Sequence, residues 1–224
     1  MEVIKVENPE KIYEDNGVPV HALKNINLSI NKGEFTVIAG PSGSGKTTLL
    51  NLLGALDKPT SGKILFVGED LANKSKKELS KLRLKKFGFV FQAYNLIPVL
   101  TAFENIEFAM MLLNIPEKQR KEKARNLMDE LGIGELADKR PNEMSGGQQQ
   151  RVAVARAIVN EPEIVFADEP TANLDSKTGD NLLSLMKKMN EEKNITFIFS
   201  SHDNQVIDSA KRLIILRDGQ IEEK

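Results

Sequence analysis

The first chemical signal is Gly40-Pro41-Ser42-Gly43-Ser44-Gly45-Lys46-Thr47, which fits the spacing G-x-x-x-x-G-K-[ST]. Glycines at this spacing let backbone N–H groups turn inward around phosphate oxygens, and the start of a following helix adds positive potential. Lys46 then reaches the β- and γ-phosphates, the Thr47 hydroxyl suits Mg²⁺, and Thr48 can contact the α-phosphate. A glycine turn that merely caps a helix is the alternative. The apolar run before the motif and the helical pattern after it favour nucleotide binding.

Asp168-Glu169 is the second signal, two adjacent carboxylates that follow the apolar run Ile164–Ala167. Open α/β sheets bind ligands at the C-terminal ends of such strands. There Asp168 would hold Mg²⁺ through water, and Glu169 would orient or deprotonate an attacking water. Alone the pair reads as a solvated strand end; beside a phosphate loop it reads as catalytic. A third signal, Ser145-Gly146-Gly147-Gln148, is a second small glycine turn leading into a helix, here one beginning near Gln149. As a bare tetrapeptide it is equally an ordinary helix start or a second anion-binding terminus.

These residues need strands and helices to hold them. Glu2–Val6 alternates, Ala22–Ile30 continues an apolar pattern, and Phe35–Ala39 is apolar almost throughout, as in a strand buried on both faces. Helices are predicted over Thr47–Leu56, Ser75–Lys86, Glu117–Leu131, Gln149–Val159 and Thr178–Asn190. Strands are predicted over Gly62–Val67, Ile164–Ala167, Ile195–Ser200 and Leu213–Leu216. Strands alternating with helices imply an α/β fold with a mainly parallel sheet, into which the middle helices are inserted. The basic residues of Lys74–Lys86 read as a solvated helix face or as a contact for anionic lipid or a partner. His21 has no motif around it and reads as structural or exposed.

A phosphate loop also suits nucleotide kinases, GTPases and helicases. Met144-Ser145-Gly146-Gly147-Gln148 decides among them, because it resembles the LSGGQ signature of ATP-binding cassette (ABC) ATPases, with Met for the usual Leu. The rest of the family pattern follows in order. Gln92 matches the Q-loop glutamine, Asp175 the D-loop aspartate, His202 the switch histidine and Tyr13 the aromatic that stacks on adenine. The resemblance implies a P-loop ATPase of the ABC type spanning residues 1–224. Its nucleotide-binding core with an N-terminal antiparallel β subdomain would cover 1–92 and 161–224. A helical subdomain carrying the signature would cover 93–160. It also implies that two chains pair head to tail as a homodimer. ATP and Mg²⁺ would then lie between one phosphate loop and the partner's Ser145–Gln148, with Thr47, Gln92 and Asp168 around the metal. Glu169, His202 and Gln92 would serve hydrolysis, and opening and closing would drive an integral membrane permease subunit.

Within the family, Gly54–Gly62, Phe91–Pro98 and Ala167–Ser176 look similar to the lipoprotein-releasing and macrolide-exporter group. A soluble ABC ATPase acting on DNA or ribosomes is the alternative. Those proteins usually insert coiled coils, zinc modules or a second cassette, for which this chain has no sequence. Composition narrows the partners further. With 31 basic and 32 acidic residues the net charge is −1, which argues against nucleic acid as the partner. There are no cysteines and only two histidines, so thiolate chemistry and multi-histidine metal centres are excluded. The N-terminus lacks the basic start and apolar run of a signal peptide. The longest uncharged stretch, Phe87–Phe103, is too short and too polar to span a bilayer. The expected location is the cytoplasm, on the inner face of the membrane through the permease. The uncharged segment Ala93–Phe103 is either a docking patch for that permease or filling for the helical core.

Overall fold

The computed structural model describes residues 1–15 and 18–222. An antiparallel layer forms first, from Glu2–Asp15 (β1), Val18–Leu23 (β2) and Asn27–Asn31 (β3), the last alternating between buried and more exposed positions. Next come Phe35–Ala39 (β4), buried at every position, and the helix Lys46–Leu53 (α1). Ser61–Phe66 (β5) and Glu69–Asp70 (β6) return to the antiparallel sheet, in which β1 pairs with β2, β3 and β5. Register shifts at Lys11/Ile12 and Glu7/Glu10 let the one long strand serve three neighbours.

Lys76–Lys86 (α2) is started by a capping box between Ser75 and Glu78 and runs into Phe87–Val90 (β7). Three helices follow: Ala102–Met111 (α3), Glu117–Glu130 (α4) and Gly146–Ile158 (α5). The chain then alternates Ile164–Asp168 (β8), Ser176–Lys193 (α6), Thr196–Ser201 (β9), Asn204–Asp208 (α7), Arg212–Arg217 (β10) and Gln220–Ile221 (β11). The second sheet runs β11-β10-β4-β9-β8-β7, and only the β10–β11 pair is antiparallel.

Both faces of this parallel sheet are covered, which explains its near-continuous apolar strands. Phe35, Val37, Val165, Ala167, Phe197 and Phe199 face a core shared with α3–α6. Ile38, Ile164, Phe166 and Ile198 face the other way, onto α1 and the antiparallel layer. Each strand thus divides its side chains between two cores by simple alternation.

Helix boundaries differ from the sequence expectation in three instructive ways. α1 ends at Leu53 rather than Leu56, because Gly54 closes it and Ala55 turns left-handed at φ 54°. α5 begins at Gly146 rather than near Gln149, so the glycines form its first turn instead of preceding it. α6 gains a turn at its C-terminal end, where Asn194 caps it at φ 53°. No helix among the described residues is long and apolar enough to cross a membrane.

Candidate active site

Four parallel neighbours, β4, β9, β8 and β7, end at one rim of the sheet. Their registers pair Ala39 with Ser201, Asp168 with Ser200 and Val90 with Ala167. The residues that leave these strands are therefore brought together: the phosphate loop after β4, Asp168-Glu169 at the end of β8, Ser201-His202 at the end of β9 and Gln92 after β7. A cleft of about 460 Å³ opens there. Ser42, Gly43, Gly45, Lys46, Thr47 and Thr48 line one side, Gln92, Glu169 and His202 another, and Tyr13, Val20 and His21 a third.

The phosphate loop is shaped by close approach. A side chain at Gly40 would start 2.0 Å from the Leu216 carbonyl oxygen. Gly45 sits at φ 99° as the N-cap of α1, and a Cβ there would lie 2.6 Å from the Ala22 oxygen. Because a glycine caps the helix, no side chain occupies the first-turn N–H groups. The Ser44 amide donates to the Pro41 oxygen at 3.3 Å and closes the loop. Lys46 is nearly buried and donates to the Gly40 and Pro41 oxygens at 2.8 and 3.0 Å.

Across the cleft, the Thr47 hydroxyl donates to Asp168 Oδ1 at 3.1 Å. Glu169 is left-handed at φ 44°, a backbone that costs about 1–3 kcal/mol for a non-glycine residue. Its amide donates to the Ser200 oxygen at 2.9 Å. Its carboxylate is held at both oxygens, Oε2 by the Ser201 hydroxyl at 2.9 Å and Oε1 by His202 Nδ1 at 2.6 Å. The His202 ring is itself largely exposed to the cleft.

Tyr13 donates to Asp57 Oδ2 at 2.9 Å, and Lys11 Nζ lies 4.7 Å from its ring centroid. Burial, and then donation to Asp57, holds the Tyr13 hydroxyl above the usual tyrosine value. Burial pushes Asp57 upward, but hydrogen bonds from Lys11, the Lys58 amide and Tyr13 outweigh it and leave Asp57 below the usual range. His21 is exposed beside this ring, on the cleft.

Ser145, Gly146, Gly147, Gln148 and Asp175 do not line the cleft. Ser145 caps α5: its hydroxyl accepts from the Gln148 amide at 3.3 Å, and Gln148 Oε1 accepts from the Ser145 amide at 2.9 Å. Asp175 caps α6 by accepting from the Thr178 hydroxyl and amide, at 2.6 and 3.0 Å, and these bonds hold it below the usual aspartate value. A Cβ on Gly147 would lie 2.5 Å from Thr178 Cγ2, so the two helix starts pack against each other.

Several contacts in the site carry no motif. Ser201 binds the Glu169 carboxylate, and Asn173 Nδ2 donates to the Gln92 oxygen at 2.9 Å. Asp57 and Lys11 fix the Tyr13 ring. Arg156 donates to the Tyr94 oxygen at 2.8 Å and to the Asn95 oxygen, beneath a turn whose two residues are both left-handed. The serine pair before His202 was the one visible hint; the others depend on contacts between distant segments.

The profile of the ABC transporter family matches residues 23–172. An ABC transporter ATP-binding protein of Thermotoga maritima is 46% identical over 212 residues, covering 95% of this chain and 90% of that protein. A macrolide export ATP-binding/permease protein of Syntrophobacter fumaroxidans is 42% identical over 99% of this chain, which spans 31% of that longer protein. Among solved structures, a dimeric post-hydrolysis state of the ATP-binding cassette MJ0796 of Methanocaldococcus jannaschii, bound to ADP and Pi, superposes with a TM-score of 0.91. That cassette is 44% identical, covering 98% of this chain and 97% of its own. With the family profile on most of the chain and this fold around a phosphate loop, the chain belongs to the ABC transporter family as an ATP-binding, ATP-hydrolysing cassette.

Proposed function

We propose that two copies of this chain pair head to tail around two MgATP and drive an integral membrane permease of the export or release type. One observation carries the pairing: the phosphate loop and the carboxylates share a cleft, whereas the signature turn caps a helix that does not line it. A cleft with one anion-binding wall is completed by the partner's Ser145, Gly146 and Gly147, in a two-fold arrangement with two equivalent sites. The dimeric state of the MJ0796 cassette, with its ADP and Pi, supports this reading. The names of the macrolide and pyoverdine export relatives support the export type. We read residues 1–92 and 161–224 as the nucleotide-binding core and 93–160 as the helical subdomain; positions 16, 17, 223 and 224 lie outside the described residues. The chain would work at the cytoplasmic face of the membrane through its permease.

The site's oxygen donors suit Mg²⁺. Thr47 Oγ1 and Asp168 Oδ1 lie 3.1 Å apart, and Gln92 lines the same cleft. Few protein ligands are what this ion takes when phosphates and waters complete its shell. No cluster of three or more His, Asp or Glu side chains with metal-ligand spacing occurs among the described residues. Thr47 and Asp168, with Gln92, would hold the ion, which when bound neutralises charge on the β- and γ-phosphates. The chain's own groups do the rest. First-turn amides and Lys46 bind the phosphates, Thr48 takes the α-phosphate, and the Tyr13 ring stacks on the base. Glu169 accepts the proton of the attacking water at a carboxylate oxygen. His202, held by Nδ1, turns its other nitrogen toward the γ-phosphate, whose release as phosphate leaves ADP and removes the contact that joins the two chains.

Tyr13→Ala should weaken nucleotide binding by about 1–2 kcal/mol, the scale of one lost aromatic stack. Stacking does not read base edges, so GTP should bind about as well as ATP. Calorimetric titration is the check, and an unchanged affinity in the variant would put the base on another surface.

The permease contact has its own candidate. An apolar groove of about 580 Å³ runs between α2, β7 and the C-terminal ends of α3 and α5. Leu56, Phe89, Phe91 and Leu112 form its walls, and Arg83 and Arg156 reach into it. This shape fits an amphipathic helix of a membrane subunit. The uncharged segment Ala93–Phe103 contributes Asn95 to the groove, whereas Leu96 and Ala102 turn into the helical core. Of that segment only Leu96 and Ala102 are buried, and Ala93, Asn95, Pro98 and Val99 are exposed, so it offers surface for docking as well as filling for the core. Leu112→Glu, at a half-exposed wall position, should leave basal ATPase unchanged and weaken permease binding roughly ten- to a hundredfold. ATPase assays with and without reconstituted permease read this directly; full stimulation of the variant would move the docking site elsewhere.

A further inference from the structure

The left-handed Glu169 is enclosed by a ring of hydrogen bonds. Thr171, two residues downstream and nearly buried, donates its hydroxyl to Asp203 Oδ2 at 2.9 Å. The other Asp203 oxygen accepts from the Gln205 amide at 2.9 Å and so starts α7. The Asp203 amide donates to the Ser201 hydroxyl at 3.1 Å, and that hydroxyl donates to Glu169 Oε2 at 2.9 Å. Backbone from Glu169 to Thr171 closes the ring.

The direction of these bonds is fixed by chemistry. A hydroxyl has one proton and two lone pairs. One lone pair of Ser201 is taken by an amide that can only donate, so its proton is free for the carboxylate. Ser201 has no exposed surface, so no solvent water can replace it. A strained backbone persists only where its surroundings over-determine it, and here the ring, the Glu169 amide bond to Ser200 and the His202 contact do so together.

We propose that Ser201 is a positioning residue for hydrolysis. Its buried hydroxyl pins Oε2, so that Oε1, on the His202 side, is the carboxylate oxygen aimed at the attacking water. The Thr171–Asp203 pair holds that hydroxyl in turn, which links the pose of Glu169 to the segment leading into α6. The inference rests on the reading of Glu169 as the group that receives the water's proton.

Steady-state ATPase kinetics and nucleotide titration on the intact cassette test it. Ser201→Ala should lower kcat by roughly ten- to a hundredfold, the range of a lost hydrogen bond to a charged group. KM and ATP affinity should stay within about twofold, since no phosphate contact is removed. Thr171→Val keeps the shape and removes the far end of the ring; it should lower kcat by about three- to tenfold, again at constant KM. It also carries the test should Ser201→Ala not fold. In a Glu169→Gln background, Ser201→Ala should have no further effect, because the group it positions is gone. Full kcat in both single variants, equal losses of kcat and ATP affinity, or an undiminished effect in the Glu169→Gln background would each overturn the proposal. If Glu169→Gln itself retained turnover, the reading of Glu169 would fail first and take this inference with it. An inactive Glu169→Gln beside fully active Ser201→Ala and Thr171→Val would sink the inference alone.

Discussion

Glu169→Gln is expected to bind ATP as the parent does and to hydrolyse it about 10²–10⁴-fold more slowly, the usual loss when a general base is removed. The two functions separate because they rest on different elements. In the proposed function, binding uses the amides of the phosphate loop and Lys46, whereas Glu169 stands at the end of β8 across the cleft. Glutamine keeps the shape and an acceptor oxygen for Ser201, so the ring around this residue should survive. It cannot take a proton from water. An ATP that is bound but not cleaved keeps both anion-binding turns occupied, so the variant should accumulate as a dimer in MgATP. Size-exclusion chromatography with and without nucleotide distinguishes the outcomes. A variant that binds ATP yet elutes as a monomer would refute the sandwich.

Lys46→Ala should have the second largest effect, this time on binding. Among the described residues that line the cleft, Lys46 is the only lysine or arginine. It is held at the mouth of the loop by two carbonyl oxygens, which fixes its ammonium before any ligand arrives. A polyphosphate loses one charge-assisted partner in the variant, about 2–3 kcal/mol, or roughly a hundredfold in affinity. Thermal unfolding offers a simple readout, since a ligand that binds only the folded chain raises its midpoint by an amount that grows with the logarithm of ligand concentration over Kd. MgATP should stabilise the parent and leave the variant almost unmoved; equal stabilisation of the two would remove Lys46 from the phosphate site.

The parts of this fold that the sequence made legible are those where one physical demand acts alone. β4 and β8 are buried on both faces, so each appears as a nearly continuous apolar run followed by its chemistry. The phosphate loop is legible because close backbone approach admits only glycine at Gly40 and Gly45. Where two demands compete, the pattern blurs. β1 blurs along its whole length, since register shifts at Glu2/Ile4, Glu7/Glu10 and Lys11/Ile12 change which face is apolar. The start of α5 was expected three residues late: two glycines depress helix propensity, although the Ser145/Gln148 capping box marks the true start. α3 starts only where the uncharged stretch ends, and the capping box of Thr101 with Glu104 is the start signal that the sequence expectation lacks. Beyond its place in the serine pair before His202, Ser201 has no readable signal, because its role comes from β9 lying beside β8.

Helix α5 holds the signature turn at one end and Arg156 at the other. At 1.5 Å per residue its 13 residues span about 20 Å. Its middle, Val152 to Ala155, is fully buried and cannot slide without disturbing the core. In its last turn, Arg156 grips the carbonyl oxygens of Tyr94 and Asn95, and burial lowers the pKa of this guanidinium from the ordinary arginine value. Held at its middle, the helix would pivot there rather than slide. A tilt of about 5° about its centre carries each end roughly 1 Å in opposite directions. That distance separates a made hydrogen bond from a broken one. Pressure on the Tyr94–Asn95 turn would thus be felt, at equal amplitude and reversed sense, by the amides of Gly146 and Gly147.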